Sequence, residues 1–182
     1  MVTPTDTVYG LAALPSVPGA TDQLFALKGR AESQPLAVLV ADMAGALELV
    51  EPPAAEVRRW MEELWPGPLT LVLRRRPASQ SLALGGEDAT IGVRCPAHPF
   101  VRALAAAVGP VATTSANRHG QPSPTTASEA AASLAGRVAL VVDGGPSGTV
   151  ASTVVNASGP PGTGWTVLRE GAVAPALLQT DA

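Results

Sequence analysis

Thr90-Ile91-Gly92-Val93-Arg94 is followed by Cys95-Pro96-Ala97-His98-Pro99, by the Ala- and Leu-rich run 100–108 and by Val111-Ala112-Thr113-Thr114. The first and last stretches have the β-branched, apolar character of strands, and the middle run is helix-forming. His98-Pro99 reads as the turn into that helix, because proline at a first helical position loses no needed N–H. The same alternation extends outward in both directions. Strands are expected at 36–40, 69–73, 90–94, 111–114, 139–142, 153–156 and 166–169, and helices at 21–27, 43–49, 54–64, 100–108 and 128–134. That order marks an α/β layer fold. Several of the strands are unbroken apolar runs, which predicts cover on both faces. Asp42 is placed to cap the second helix and Pro53 to start the third. Thr126 and Glu129 have capping-box spacing at the last helix. No internal repeat or long linker divides the chain, so one domain is expected over 1–171 with a short helical or frayed tail at 172–182.

Composition narrows the function classes. The 182 residues suffice for one sizeable core. With 46% hydrophobic but only 3% aromatic residues, that core is built from Ala, Val and Leu, while 18 Gly and 18 Pro demand many turns. A net charge of -3, a pI of about 5.3 and no basic run beyond Arg74-Arg75-Arg76 argue against a general nucleic-acid surface. One cysteine, Cys95, excludes an internal disulfide and suits a reducing cytoplasm. No apolar run approaches the ~20 residues of a membrane span, and no signal peptide is visible. His98, His119 and Cys95 are too few for a structural zinc site.

Polar and conformationally special residues concentrate in five stretches: 4–10, 28–30, 90–94, 115–125 and 144–153. Each adjoins an expected strand, where open α/β sheets place ligands. Lys28 is the only lysine, and an ammonium beside the Arg30 fork suits the oxygens of a phosphate. The loop from Ser115 to Thr125 supplies neutral donors, and 143–148 is a glycine-rich turn, but neither standard nucleotide fingerprint is present. A nucleophilic triad is hard to assemble from His98 and Cys95, and the carboxylates fall mostly on helical faces. Cations, hydroxyls and amides around an anionic ligand remain, a set suited to phosphoryl or nucleotidyl transfer.

Pro4-Thr5-Asp6-Thr7-Val8-Tyr9-Gly10-Leu11, Lys28-Gly29-Arg30 with Pro35-Leu36, Trp65-Pro66-Gly67-Pro68-Leu69-Thr70, Val93-Arg94-Cys95-Pro96 with His98-Pro99, Ser115-Ala116-Asn117 through Ser123-Pro124-Thr125, Gly144-Gly145, Ser152-Thr153-Val154 and Leu168-Arg169 with Gly171 follow one another in order. This ordered set resembles the YrdC-like threonylcarbamoyl-AMP synthases in their short, single-domain form. The resemblance implies a twisted mixed sheet with flanking helices and a large concave ligand cavity. It implies an enzyme joining L-threonine, bicarbonate and ATP into threonylcarbamoyl-AMP and pyrophosphate, with Mg²⁺ accompanying ATP. The product would pass to a separate transferase system that modifies adenosine in tRNA, with weak or no direct RNA contact. The alternative is an RNA-binding relative without synthase activity. Carried over by position, Thr5, Arg94, Ser115 and Ser152 would bind threonine. Lys28, Arg30, Thr90, Asn117, Ser123 and Arg169 would bind ATP, with Lys28, Arg30, Ser115 and Asn117 catalytic and no protein side chain assigned to a metal. Tyr9 is open between shaping the pocket and filling the core. Three departures from the family pattern stand out. Only three residues precede Pro4, where the family carries a helix and a strand: either the start lies upstream or the first strand is missing, which would expose a sheet edge. Ala31 and Ala151 stand where proline and glutamate are usual.

Overall fold

The expected alternation is present in the computed structural model, which describes residues 1–179 apart from 30, 87, 88, 135, 137 and 161. Its strands are β1 (Val2–Thr3), β2 (Gly10–Ala13), β3 (Ala37–Leu39), β4 (Leu69–Arg74), β5 (Thr90–Arg94), β6 (Val111–Ser115), β7 (Thr153–Asn156) and β8 (Thr166–Arg169). Its helices are α1 (Ala20–Lys28), α2 (Met43–Leu49), α3 (Ala55–Leu64), α4 (Pro99–Val108) and α5 (Ala127–Ser133). One mixed sheet joins the strands in the order β1-β2-β6-β3-β5-β4-β7-β8, with β3–β5 and β4–β7 parallel and the other neighbours antiparallel.

The helix signals act as physical chemistry requires. Asp42 Oδ1 accepts from the Gly45 amide at 2.8 Å. Thr126 and Glu129 form the reciprocal capping box at α5. His98-Pro99 opens α4. Gly29 takes φ 62° after α1, a left-handed conformation that stops the helix just past Lys28.

Two adjacent rows of cross-strand partners decide what the sheet presents. Leu71, Val93, Val38 and Ala112 form one row, each 0% exposed. The next row, Val72, Gly92, Ala37 and Thr113, is only partly buried along its whole length. Cover on both faces therefore holds over much of these strands, since Leu39, Thr70, Arg94 and Val111 are buried on that face too, and only the row through Val72, Gly92, Ala37 and Thr113 is left partly open. The larger core gathers Val38, Leu71, Val93, Ile91 and Val155 with Trp60 and Met61 of α3. A smaller one joins Ala12 and Val111 to Ala105 and Leu104 of α4. Trp60 meets Trp165 edge-on, with ring centroids 5.3 Å apart.

The amino-terminal edge also differs from expectation. Val2–Thr3 pairs with β2, and both residues are 0% exposed. Residues 139–142 do not form a strand; they run beside β1 through a single parallel bridge, Val2–Val141. Val2 donates to Leu140 O at 2.8 Å and accepts from the Val142 amide at 3.0 Å. A two-residue partner offers too few backbone groups for a longer ladder, yet that contact covers the predicted exposed edge. At the other end, Pro175–Leu178 is a short 3-10 turn that buries Leu178.

Candidate functional site

Arg94 ends β5 on the partly open face, where its guanidinium is almost fully buried. Nε donates to Gly67 O at 3.0 Å, one terminal nitrogen to Thr7 Oγ1 at 2.9 Å and the other to Asp6 Oδ1 at 2.6 Å. Burial pulls the Arg94 pKa below its ordinary value, and the Asp6 charge and hydrogen bond oppose that shift. Three of the five N–H donors of arginine are thus used, leaving one on each terminal nitrogen.

The hydroxyl chain beyond Arg94 has a defined direction. Thr5 Oγ1 lies 2.6 Å from Val8 O, a carbonyl that can only accept, so Thr5 donates there. In the 3.1 Å Thr5–Thr7 contact, Thr7 must then be the donor. Thr5 also accepts from the Thr7 amide at 3.2 Å. Its hydroxyl is committed to shaping the 4–9 loop, and Thr7 is the member of the pair that meets Arg94.

A second group stands beside the first. Thr70, next along β4 from the Leu71–Val93 pair, shares a 2.8 Å hydrogen bond with Ser152. Arg169, at the end of β8, donates to Ser152 O at 2.8 Å and Ser152 Oγ at 3.0 Å. Its pKa is lowered by partial burial and then by the like charge of Arg94. Gly171 lets this edge close: a Cβ there would fall 2.4 Å from Ala151 O.

The third group forms around Lys28, which is only 3% exposed. Its ammonium donates to Ser115 O at 2.7 Å, Ser115 Oγ at 3.1 Å, Asn117 O at 2.9 Å and Asn117 Oδ1 at 3.2 Å. The Asn117 amide donates to Arg118 O at 2.9 Å and Gln121 O at 2.5 Å, and the His119 amide donates to Lys28 O at 3.0 Å. Lysine's short-range, multi-directional charge suits this convergence of oxygens.

Tyr9 belongs to both core and site. Its ring is 0% exposed, while its hydroxyl donates to Gly145 O at 2.6 Å and accepts from the Gly144 amide at 3.2 Å. The Ser147 amide donates to Thr125 O at 2.8 Å, tying the 143–148 turn to the Ser115–Thr125 loop.

The structure thus joins Thr5 to Arg94 through Thr7, Ser152 to Arg169, and Lys28 to Ser115 and Asn117. Thr90 sits at the far end of β5 from Arg94, about 13 Å away at strand rise. Ser123 lines a separate hollow of about 740 Å³ with Arg118, Gln121, Glu129 and Ser133. Arg30 lies outside the described residues. Asp6, Thr7 and Thr70 are additions; their signal was their place inside the quoted motifs, not any spacing that reveals a contact. Among the described residues no cluster of three or more His, Cys, Asp or Glu could hold a metal ion. Among them, too, no helix is long and apolar enough to cross a membrane.

Comparison with known proteins adds an independent line. The chain is 41% identical over 155 residues to a threonylcarbamoyl-AMP synthase of Bacillus subtilis, covering 84% of this chain and 45% of that one. It is 38% identical over 167 residues to a threonylcarbamoyl-AMP synthase of Rattus norvegicus, covering 86% of this chain and 58% of that one. It therefore spans about half the length of these curated relatives. The Pyrococcus abyssi Sua5 structure complexed with L-threonine superposes with a TM-score of 0.82 at 36% identity, covering 92% of this chain and 49% of that one. Residues 1–171 match the Sua5/YciO/YrdC family, described as telomere recombination, and the chain belongs to that family.

Proposed function

We propose that the chain is an L-threonylcarbamoyladenylate synthase, a nucleotidyltransferase acting in the cytoplasm in tRNA modification. The observation that carries this reading is one end of the sheet that gathers Arg94, the Thr70–Ser152 pair and Arg169 through strand register and hydrogen bonds, with the Lys28-bound Ser115–Asn117 loop rooted on the same sheet. The names of the relatives support the choice of substrates.

In this reading the two uncommitted N–H groups of Arg94 take the threonine carboxylate, and the Thr70–Ser152 pair lies beside it. Ser115 and Ser152 are assigned to threonine as the motif match implies, and Asn117, Arg169, Thr90 and Ser123 to the nucleotide. Lys28 holds Ser115 and Asn117 in place, and Arg30 contributes a second cation. The threonine amine captures carbon dioxide derived from bicarbonate, losing a proton and forming an N–C bond. A carbamate oxygen then bonds to the α-phosphorus as the bond to the bridging oxygen breaks, and pyrophosphate leaves with the electron pair. The cations stabilise charge that grows on the leaving group, and Mg²⁺ bound to the phosphates supplies more of the same. A downstream transferase then consumes the adenylate, and an acidic chain is poorly suited to hold RNA itself.

Mixing the protein with ATP, L-threonine and bicarbonate should yield threonylcarbamoyl-AMP by mass spectrometry, with pyrophosphate in equal amount. ATP consumption that does not depend on threonine would overturn the assignment.

A further inference from the structure

Gly92 occupies the middle of β5, paired with Val72 on one side and Ala37 on the other, and is partly buried. The usual reasons for a glycine inside a strand do not hold there. Its φ is not among the positive values found in the chain. An added Cβ would stand 3.6 Å from Ala37 and 3.7 Å from Thr70, which are ordinary van der Waals contacts. Gly67 and Gly171 are different, since a Cβ would fall 2.2 Å from Leu64 O in the first and 2.4 Å from Ala151 O in the second. Those two are demanded by packing; Gly92 is not. A strand-interior glycine weakens its sheet, and where the fold has no need of it, it marks a close approach by something else.

What surrounds Gly92 points to the approaching group. Arg94 lies two residues along β5 on the same face, and Thr90 lies two residues the other way, each about 7 Å distant at strand rise. Because β6 runs against β3, Ser115 and its Lys28 partner lie toward the Thr90 end, while Arg94, Thr70 and Arg169 form the other end. A ligand with its carboxylate on Arg94 and its phosphates near the Lys28–Ser115–Asn117 group crosses the row between them at its two smallest members, Gly92 and Ala37.

The geometry points to Gly92 as a position kept bare for the reaction, its backbone the floor beneath the carbamoyl–phosphate junction. This rests on the adenylation reading above. A side chain there fits the fold but fills the space in which the carbamate oxygen bonds to the α-phosphorus and pyrophosphate departs.

The test is Gly92→Ala and Gly92→Val, each measured for thermal stability and for threonine-dependent pyrophosphate release. Stronger β-propensity should raise the melting temperature by about 2–4 °C in the valine variant. An extra methyl group in a filled pocket costs about 10–200-fold, so kcat/KM should fall about tenfold with alanine and about 100-fold with valine. Unchanged kcat/KM in a folded Gly92→Val protein overturns the assignment. So does a melting temperature lowered in both variants, which would make the glycine a packing requirement. A wild-type protein that releases no pyrophosphate overturns the adenylation reading itself, and this assignment with it.

Discussion

Lys28 shows how a residue's chemistry and its surroundings together set its role. Four oxygens from Ser115 and Asn117 converge on an ammonium that is 3% exposed. Arginine carries the same charge, but its planar fork is larger and cannot face oxygens gathered around one point. Lys28→Arg should cost about 1–3 kcal/mol by overpacking, read from the urea midpoint, and should lower pyrophosphate release as well. Asp6 is the second test at this scale. It is the carboxylate on Arg94, and the side chains are only 13% and 7% exposed. Asp6→Asn leaves a buried guanidinium without its counter-charge, so stability should fall by about 3 kcal/mol in denaturant titration. If the midpoint is unmoved, the pair is not a source of stability. Neither contact was legible beforehand: the motif Pro4–Gly10 was visible, but which of its side chains turns toward Arg94 depends on how the loop folds back over the sheet.

Among the elements, local signals and observed structure agree best where a single residue determines a terminus. Asp42, His98-Pro99 and the Thr126–Glu129 box each sit where the corresponding helix begins. Glu129 accepts from the backbone and hydroxyl of Thr125 and from the Thr126 amide, which pull its pKa below the ordinary carboxylate value. A pKa lowered by folding means stability that is complete above the unfolded glutamate value and lost as pH falls through the folded one. Glu129→Gln should therefore flatten the acid limb of the stability–pH curve, the variant being slightly less stable near pH 7 and converging with the parent protein in acid. An identical acid limb in the variant would remove the box from that dependence. Strands 90–94, 153–156 and 166–169 were readable to the residue from their β-branched content. The strands β1 and β2 were not, because two- and four-residue strands carry too little periodicity. Residues 139–142 had strand-like composition, yet only the two-residue β1 was there to pair with them.

The molecule as a whole places its chemistry where the sheet is left half-covered. Cys95 marks the opposite condition: it is 1% exposed, and burial pushes its thiol pKa up. Alkylation in native buffer should be slow and should follow global unfolding across a denaturant series. Fast labelling before unfolding would show that the Arg94–α4 corner opens locally. The sequence by itself determined the order of elements, the helix starts and the motif set, because capping, β-branching and proline placement act through residues close in the chain. Tertiary structure alone decided that Arg94 pairs with Asp6, that Lys28 faces inward onto Ser115 and Asn117, and that one row across four strands is open while its neighbour is sealed. Those outcomes depend on strand register and loop return, which join residues about 90 positions apart and leave no periodic trace in either segment.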